Sequence, residues 1–92
     1  PMYHGNGGVV AVSAVWHSGC SMVIRRSFSV SHFWRDVQQY RCSAMIYIGE
    51  LWRYLYNQPV SADERNNPLR VIAGNGLRPD IWSPVIKRFG IE

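Results

Sequence analysis

Apolar positions along this chain fall into two kinds of run, and the two kinds alternate. Val9 to Trp16 is apolar on every side apart from Ser13 and is closed by Gly19, which predicts a helix over residues 7–18, buried all round. Its valines leave helix against strand open on propensity alone. Gly5-Asn6-Gly7-Gly8 forms a flexible opening. Ser21-Met22-Val23-Ile24 predicts a short strand running into Arg25-Arg26. Ser29 or Ser31 then caps a helix whose Val30, Phe33, Trp34, Val37 and Tyr40 recur every three or four residues and share one core face. Ala44 to Ile48 is a nearly continuous apolar run of strand length, as in a strand covered on both faces.

Gly49 breaks that strand. Glu50 to Asn57 predicts a helix with Leu51, Tyr54 and Leu55 on one side, stopped by Pro59. Residues 58–68 form a polar loop, Leu69 to Ala73 a further strand, and Gly74-Asn75-Gly76 the turn after it. The last helix begins with Pro79 in its first turn and is kinked by Pro84, or else Ser83 is its cap and Pro84 its first residue. Ile81, Trp82, Val85, Ile86 and Phe89 make its apolar face, and Gly90 follows its end. The predicted order is α, β, α, β, α, β, α. Strands and helices alternating in this way imply an α/β fold of parallel βαβ units with right-handed crossovers, resembling the middle of a larger doubly wound sheet.

Composition narrows the class. The chain has 92 residues, 47% of them hydrophobic and 17% charged, too apolar for a disordered segment. A unit of this size buries only about 60–65% of the surface its unfolded chain exposes, so an isolated core is marginal. No apolar run approaches the roughly 18 residues of a membrane helix, and no signal or transit peptide is visible. Pro1 stands where an initiator Met is expected, which implies missing upstream sequence. Two cysteines, Cys20 and Cys42, are too few for a disulfide scaffold and imply reduced intracellular thiols. The net charge of +4 raises nucleic-acid binding, but the nine Arg and single Lys are scattered without a stripe or cluster.

Candidate chemistry is sparse. His17, Cys20, His32 and Cys42 offer metal-ligating atoms without a metal-site spacing, and neither cysteine has an activating neighbour. His17 near a helix end is placed to meet the last carbonyls. Glu50 follows an apolar strand and a glycine, where α/β sites gather, although a first-turn carboxylate is also favoured by the helix dipole. The loop Gly74-Asn75-Gly76-Leu77-Arg78-Pro79 leaves a strand and enters a helix, so its backbone N–H groups can face a ligand at the carboxyl edge of the sheet. Its glycines permit close backbone approach and positive φ, but the full G-x-G-x-x-G pattern is absent.

Five segments in this order carry a resemblance: Pro1 to Gly8, Ile24 to Ser29, Phe33 to Asp36, Tyr47 to Leu55, and Gly74 to Trp82. Together they resemble the fatty acid transport protein / very-long-chain acyl-CoA synthetase family, adenylate-forming enzymes related to firefly luciferases and acetyl-CoA synthetases. The similarity covers essentially the whole chain. It implies that Gly74, Asn75, Gly76, Leu77 and Arg78 lie along the adenine and the acyl-adenylate. It implies that His4 and Gly5 border the acyl pocket beside the reacting carboxylate, although His4 taken alone is an ordinary turn histidine. Tyr47, Gly49 and Glu50 are implied at the acyl-binding wall. The implied reaction joins a long- or very-long-chain fatty acid to ATP, giving an acyl-adenylate and pyrophosphate, and then to coenzyme A, with Mg2+ offsetting phosphate charge.

The resemblance also implies what is missing: a Ser/Thr/Gly-rich phosphate loop before Pro1, a Tyr-Gly-x-Thr-Glu segment after Glu92, and a C-terminal domain with the catalytic lysine. Lys87 matches no catalytic position. Residues 1–92 are thus expected to be part of the large N-terminal adenylation domain, inactive alone and without a metal site of their own. The parent is expected inside the cell, cytoplasmic or peripheral at a membrane surface. Two other readings remain: a stand-alone α/β ligand-binding module, and a basic nucleic-acid-binding fragment.

Overall fold

The computed structural model describes residues 5–64 and 66–91. Gly5–Ala11 forms a π-helical turn that continues into α1, Val12–Ser18. Then come α2, Phe33–Gln39; β1, Ala44–Ile48; α3, Leu51–Tyr56; β2, Val71–Asn75; and α4, Pro79–Phe89. β1 and β2 are parallel, in a register that sets Ala44 opposite Val71 and Ile48 opposite Asn75. With α3 between them they form a βαβ unit, as the alternation of elements implies.

The sheet has two strands among the described residues, where the sequence predicts three. Ser21 to Ile24 is irregular and mostly exposed. A run this short is a strand only where a ladder partner exists, and this one is instead tethered through the ion pair of Arg25 with Asp36 of α2. The second strand begins two residues later than expected. Leu69 is buried at its entry, and the N–H groups of Arg70 and Val71 both donate to the Ser43 carbonyl.

Helix ends follow local chemistry in part. Gly19 and Gly90 close α1 and α4 in the left-handed conformation, at φ 69° and 66°. Pro79 is the first residue of α4, and Pro84 lies inside one continuous helix rather than starting a shorter one. The carbonyl four residues before Pro84 belongs to Asp80 in the exposed first turn, where water can replace the missing N–H. Neither Ser29 nor Ser31 caps α2. Ser29 Oγ lies 2.9 Å and Ser31 Oγ 3.2 Å from His32 Nδ1, so the hydroxyls meet the imidazole and not the helix amides.

The core is an aromatic cluster with aliphatic residues around it. Trp52 is fully buried, with ring centroids 5.7 Å from Phe89, 5.9 Å from Phe33 and 6.3 Å from Tyr47. Trp34 stacks on Phe89 at 4.8 Å, and Val37, Leu55, Leu69, Val85 and Ile91 complete it. The helical face expected on α3 is therefore corrected: Trp52 and Leu55 point inward, while Tyr54 is 55% exposed. The 7–18 helix forms but is not buried. None of the α1 residues is buried, and Trp16 is 83% exposed.

The stretch predicted as a plain polar loop holds a buried ion pair. Ala62–Glu64 is a single 3-10 turn that carries Glu64 into the interior. Arg88 meets both oxygens of the Glu64 carboxylate, Nε to Oε1 and Nη2 to Oε2, each at 3.0 Å. The same guanidinium donates to the carbonyls of Tyr56 and Gln58 and lies over the Tyr56 and Phe89 rings. Asn67 Nδ2 donates to the carbonyls of Glu64 and Phe89, and its Oδ1 accepts from the Leu69 N–H. These bonds fasten the α3–β2 connection to the end of α4.

Candidate nucleotide site at the strand ends

Parallel pairing puts the carboxyl ends of β1 and β2 side by side, and with them the two turns that the sequence singles out. Tyr47 is opposite Gly74. The Gly49 N–H donates to the Asn75 carbonyl at 2.8 Å, extending the ladder one step past β1. Gly49 has φ 63° and Gly76 has φ 87°, both in the region that favours glycine. A Cβ on Gly76 would lie 2.7 Å from the Gly49 Cα. A Cβ on Gly74 would run into the Tyr47 carbonyl oxygen. The close approach that these glycines permit is thus an approach of one turn to the other. Packing of the protein itself accounts for both.

What remains free to meet a ligand is the rim. Asn75 is exposed at the last position of β2, and Arg78 is exposed at the extended residue that leads into α4, its Nε 3.7 Å from Asp80 Oδ1. Leu77 is half-buried and packs on the core. Tyr47 is buried, and burial pushes its phenol up from the ordinary value. Glu50 precedes α3 without capping it and is paired with Arg53, Nε to Oε2 at 2.7 Å. Gly5 is exposed at the start of the π-helical turn, and that turn packs against β1. His4 lies outside the described residues.

The other candidates do not converge. The His17 ring, Nδ1 3.1 Å from the Ser13 carbonyl, bonds back into its own helix. Cys20 is exposed beside Ser18, whose hydroxyl is 3.0 Å from its sulfur. Burial first and the Asp36 charge second push the Cys42 thiol up, which disfavours the thiolate. Among the described residues no three His, Cys, Asp or Glu side chains come together as a metal site would need. The Glu64–Arg88 pair could not be found from the sequence, because its members are 24 positions apart and share no pattern. Among the described residues a cavity of about 140 Å³ lined by Trp34, Leu55 and Pro59 and a more open one of about 420 Å³ beside Lys87 and Arg88 lie elsewhere.

A parallel βαβ unit with its turns gathered at the carboxyl edge of the sheet has the arrangement of an α/β fold, whose ligands bind at that edge. The profile of the AMP-binding enzyme family matches residues 1–92, and the chain belongs to that family. It is 50% identical over 91 residues to the medium/long-chain-fatty-acid–CoA ligase FadD6 of Mycobacterium tuberculosis, covering 99% of this chain and 15% of that protein. It is 44% identical over 92 residues to long-chain fatty acid transport protein 1 of Homo sapiens, covering 100% of this chain and 14% of that protein. Long-chain fatty acid transport protein 3 of Homo sapiens is 43% identical over 90 residues, covering 98% of this chain and 13% of that protein. The chain thus spans about one seventh of the length of these relatives. No solved structure gives a significant match.

Proposed function

We propose that the chain is a section of the adenylation domain of a fatty acyl-CoA synthetase. In the parent, a long- or very-long-chain fatty acid reacts with ATP to give an acyl-adenylate and pyrophosphate, and the acyl group then passes to coenzyme A. The observation that carries this reading is the match of residues 1–92 to the AMP-binding enzyme family, and the Tyr47–Glu50 and Gly74–Arg78 turns meet at the carboxyl edge of a parallel sheet, where α/β proteins bind ligands. The names of the relatives, a fatty acid–CoA ligase and fatty acid transport proteins, support the substrate class.

ATP fits the residues present in one respect. The rim formed by Asn75 and Arg78 offers an amide and a guanidinium to a nucleotide, and the turn behind it lies close against Gly49. ATP would supply the leaving group that activates the carboxylate; these residues would bind and orient it. Gly5 would border the acyl group from the start of the π-helical turn, and a role for His4 beside it belongs to the same proposal. Mg2+ would need acidic side chains gathered in one place, and among the described residues no three His, Cys, Asp or Glu side chains come together. No step through the metal is assigned to this section, and by itself the section is proposed to be inactive.

No helix among the described residues is long and apolar enough to cross a membrane. A cytoplasmic or membrane-peripheral location of the parent belongs to the same proposal. The test is a chimera in which this chain replaces the matching 91 residues of FadD6. Fatty-acid-dependent ATP–pyrophosphate exchange by the folded chimera supports the reading. A folded chimera without exchange, beside active FadD6, contradicts it.

A further inference from the structure

The buried ion pair lies at the far end of the helix that leaves the candidate site. Arg78 is the extended residue before α4, and Arg88 is in its last turn. The two are separated by about 15 Å along the helix. Asn67, just before the buried Leu69 at the entry of β2, bonds the Phe89 carbonyl at 3.0 Å. The end of α4 therefore lies at the amino edge of the sheet, opposite the two turns.

The helix is held unevenly along its length. In its first half Pro79, Asp80, Trp82 and Ser83 are exposed, and Ile81 is half-buried. In its second half Val85 and Phe89 are buried, and Ile91 follows them into the core. Arg88 adds a fork of bonds there, to both Glu64 oxygens at 3.0 Å, to the Gln58 carbonyl at 2.8 Å and to the Tyr56 carbonyl. A buried ion pair is often no more stable than apolar residues of the same volume. What the fork adds is one defined geometry.

We propose that Arg88 is a positioning residue for the nucleotide rim: its fork to Glu64 and to the carbonyls of Tyr56 and Gln58 sets the lie of α4, and α4 carries Arg78 to the place where it meets ATP. A helix fixed firmly at one end places its other end, and the lightly packed first turn follows. Arg88 touches no substrate itself and acts through Arg78. The inference rests on the reading of Arg78 as part of a nucleotide rim.

Calorimetric titration of the folded FadD6 chimera with ATP tests it. Arg88→Met should weaken ATP binding by about tenfold, the effect of one hydrogen bond lost to a charged group. Arg88→Met combined with Glu64→Leu recovers stability but not the fork, so ATP binding should stay weak. In an Arg78→Ala chimera the further change Arg88→Met should alter ATP affinity by less than about twofold, because the group it places is gone. Asn67→Ala, which cuts the bond to the Phe89 carbonyl, repeats the test should Arg88→Met fail to fold by circular dichroism. Affinity that Arg88→Met or Asn67→Ala leaves intact overturns the proposal. So does affinity that returns with stability in the double variant, or losses that multiply for Arg78→Ala and Arg88→Met. These results overturn the positioning role alone, whereas a folded chimera that binds no ATP overturns the nucleotide reading together with it.

Discussion

Arg88→Met isolates the energetics of the buried ion pair while keeping most of the stem volume. It leaves the Glu64 carboxylate, 4% exposed, without its cation, and the carbonyls of Tyr56 and Gln58 without a donor. Removing one partner of a buried pair costs about 3–5 kcal/mol. Because the Arg88 side chain is 17% exposed, water can reach the gap and the lower end applies, about 3 kcal/mol. At roughly 0.05–0.15 kcal/mol per residue a domain of this length has about 5–14 kcal/mol to lose, and a core this marginal sits at the low end, so the change is a large share of it. With a urea slope near 1.5 kcal/mol per molar, the midpoint should fall by about 2 M. The assay is urea unfolding followed by tryptophan fluorescence, at protein concentrations too low for association. The double variant Arg88→Met with Glu64→Leu removes the stranded charge and should be more stable than Arg88→Met by about 1–2 kcal/mol. A loss under about 1 kcal/mol for the single variant, or a double variant worse than the single, would refute the reasoning.

Trp52→Ala should cost about 3–5 kcal/mol in the same assay, but Trp52→Phe much less, because the Trp52 Nε1 has no hydrogen-bond partner among the described residues and its removal ends a desolvation cost of about 1–3 kcal/mol. Equal losses for the two variants would count against that. Gly76→Ala should destabilise the chain by at least about 1–2 kcal/mol from the positive φ alone, with more from the Gly49 contact, and a neutral result would mean that the turns are not packed as described. The Cys42 and Tyr47 pKa values are raised on folding, so the stability they contribute is complete below the unfolded-state values and is lost as pH rises through the folded ones. The urea midpoint should therefore decline from about pH 9 upward, and a flat profile there would contradict it. At pH 8 iodoacetamide should modify exposed Cys20 well before Cys42, as mass spectrometry of the peptides would read.

Elements specified by local pattern were legible in the sequence. β1 is a five-residue apolar run bounded by a glycine, α4 carries its proline at the start and its glycine past the end, and Gly49 and Gly76 stand where φ is positive. What failed depended on partners far along the chain. Ser21 to Ile24 has strand composition but no strand beside it among the described residues. The inward turn of Trp52 in place of Tyr54 is decided by the rings of Phe33, Tyr47 and Phe89, not by spacing within α3. The apolar 7–18 segment reads as buried because its sequence is apolar all round; the described chain supplies packing for one side only. The two turns of the candidate site were each visible, but their contact was not, because it needs the parallel register of β1 on β2.

That contact moves the test away from the glycines, whose substitution disturbs packing whatever the turn binds. Asn75→Ala removes an exposed amide from the rim and touches none of the packed surface. In the chimera with FadD6, at unchanged melting temperature, Asn75→Ala should raise the KM for ATP or lower exchange by about tenfold, the equivalent of about 1.4 kcal/mol of lost nucleotide interaction. Asn57→Ala, at the exposed end of α3 away from the strand ends, should leave both unchanged. Unchanged ATP kinetics for Asn75→Ala, in a folded and active chimera, would mean that the turn at the end of β2 only reverses the chain.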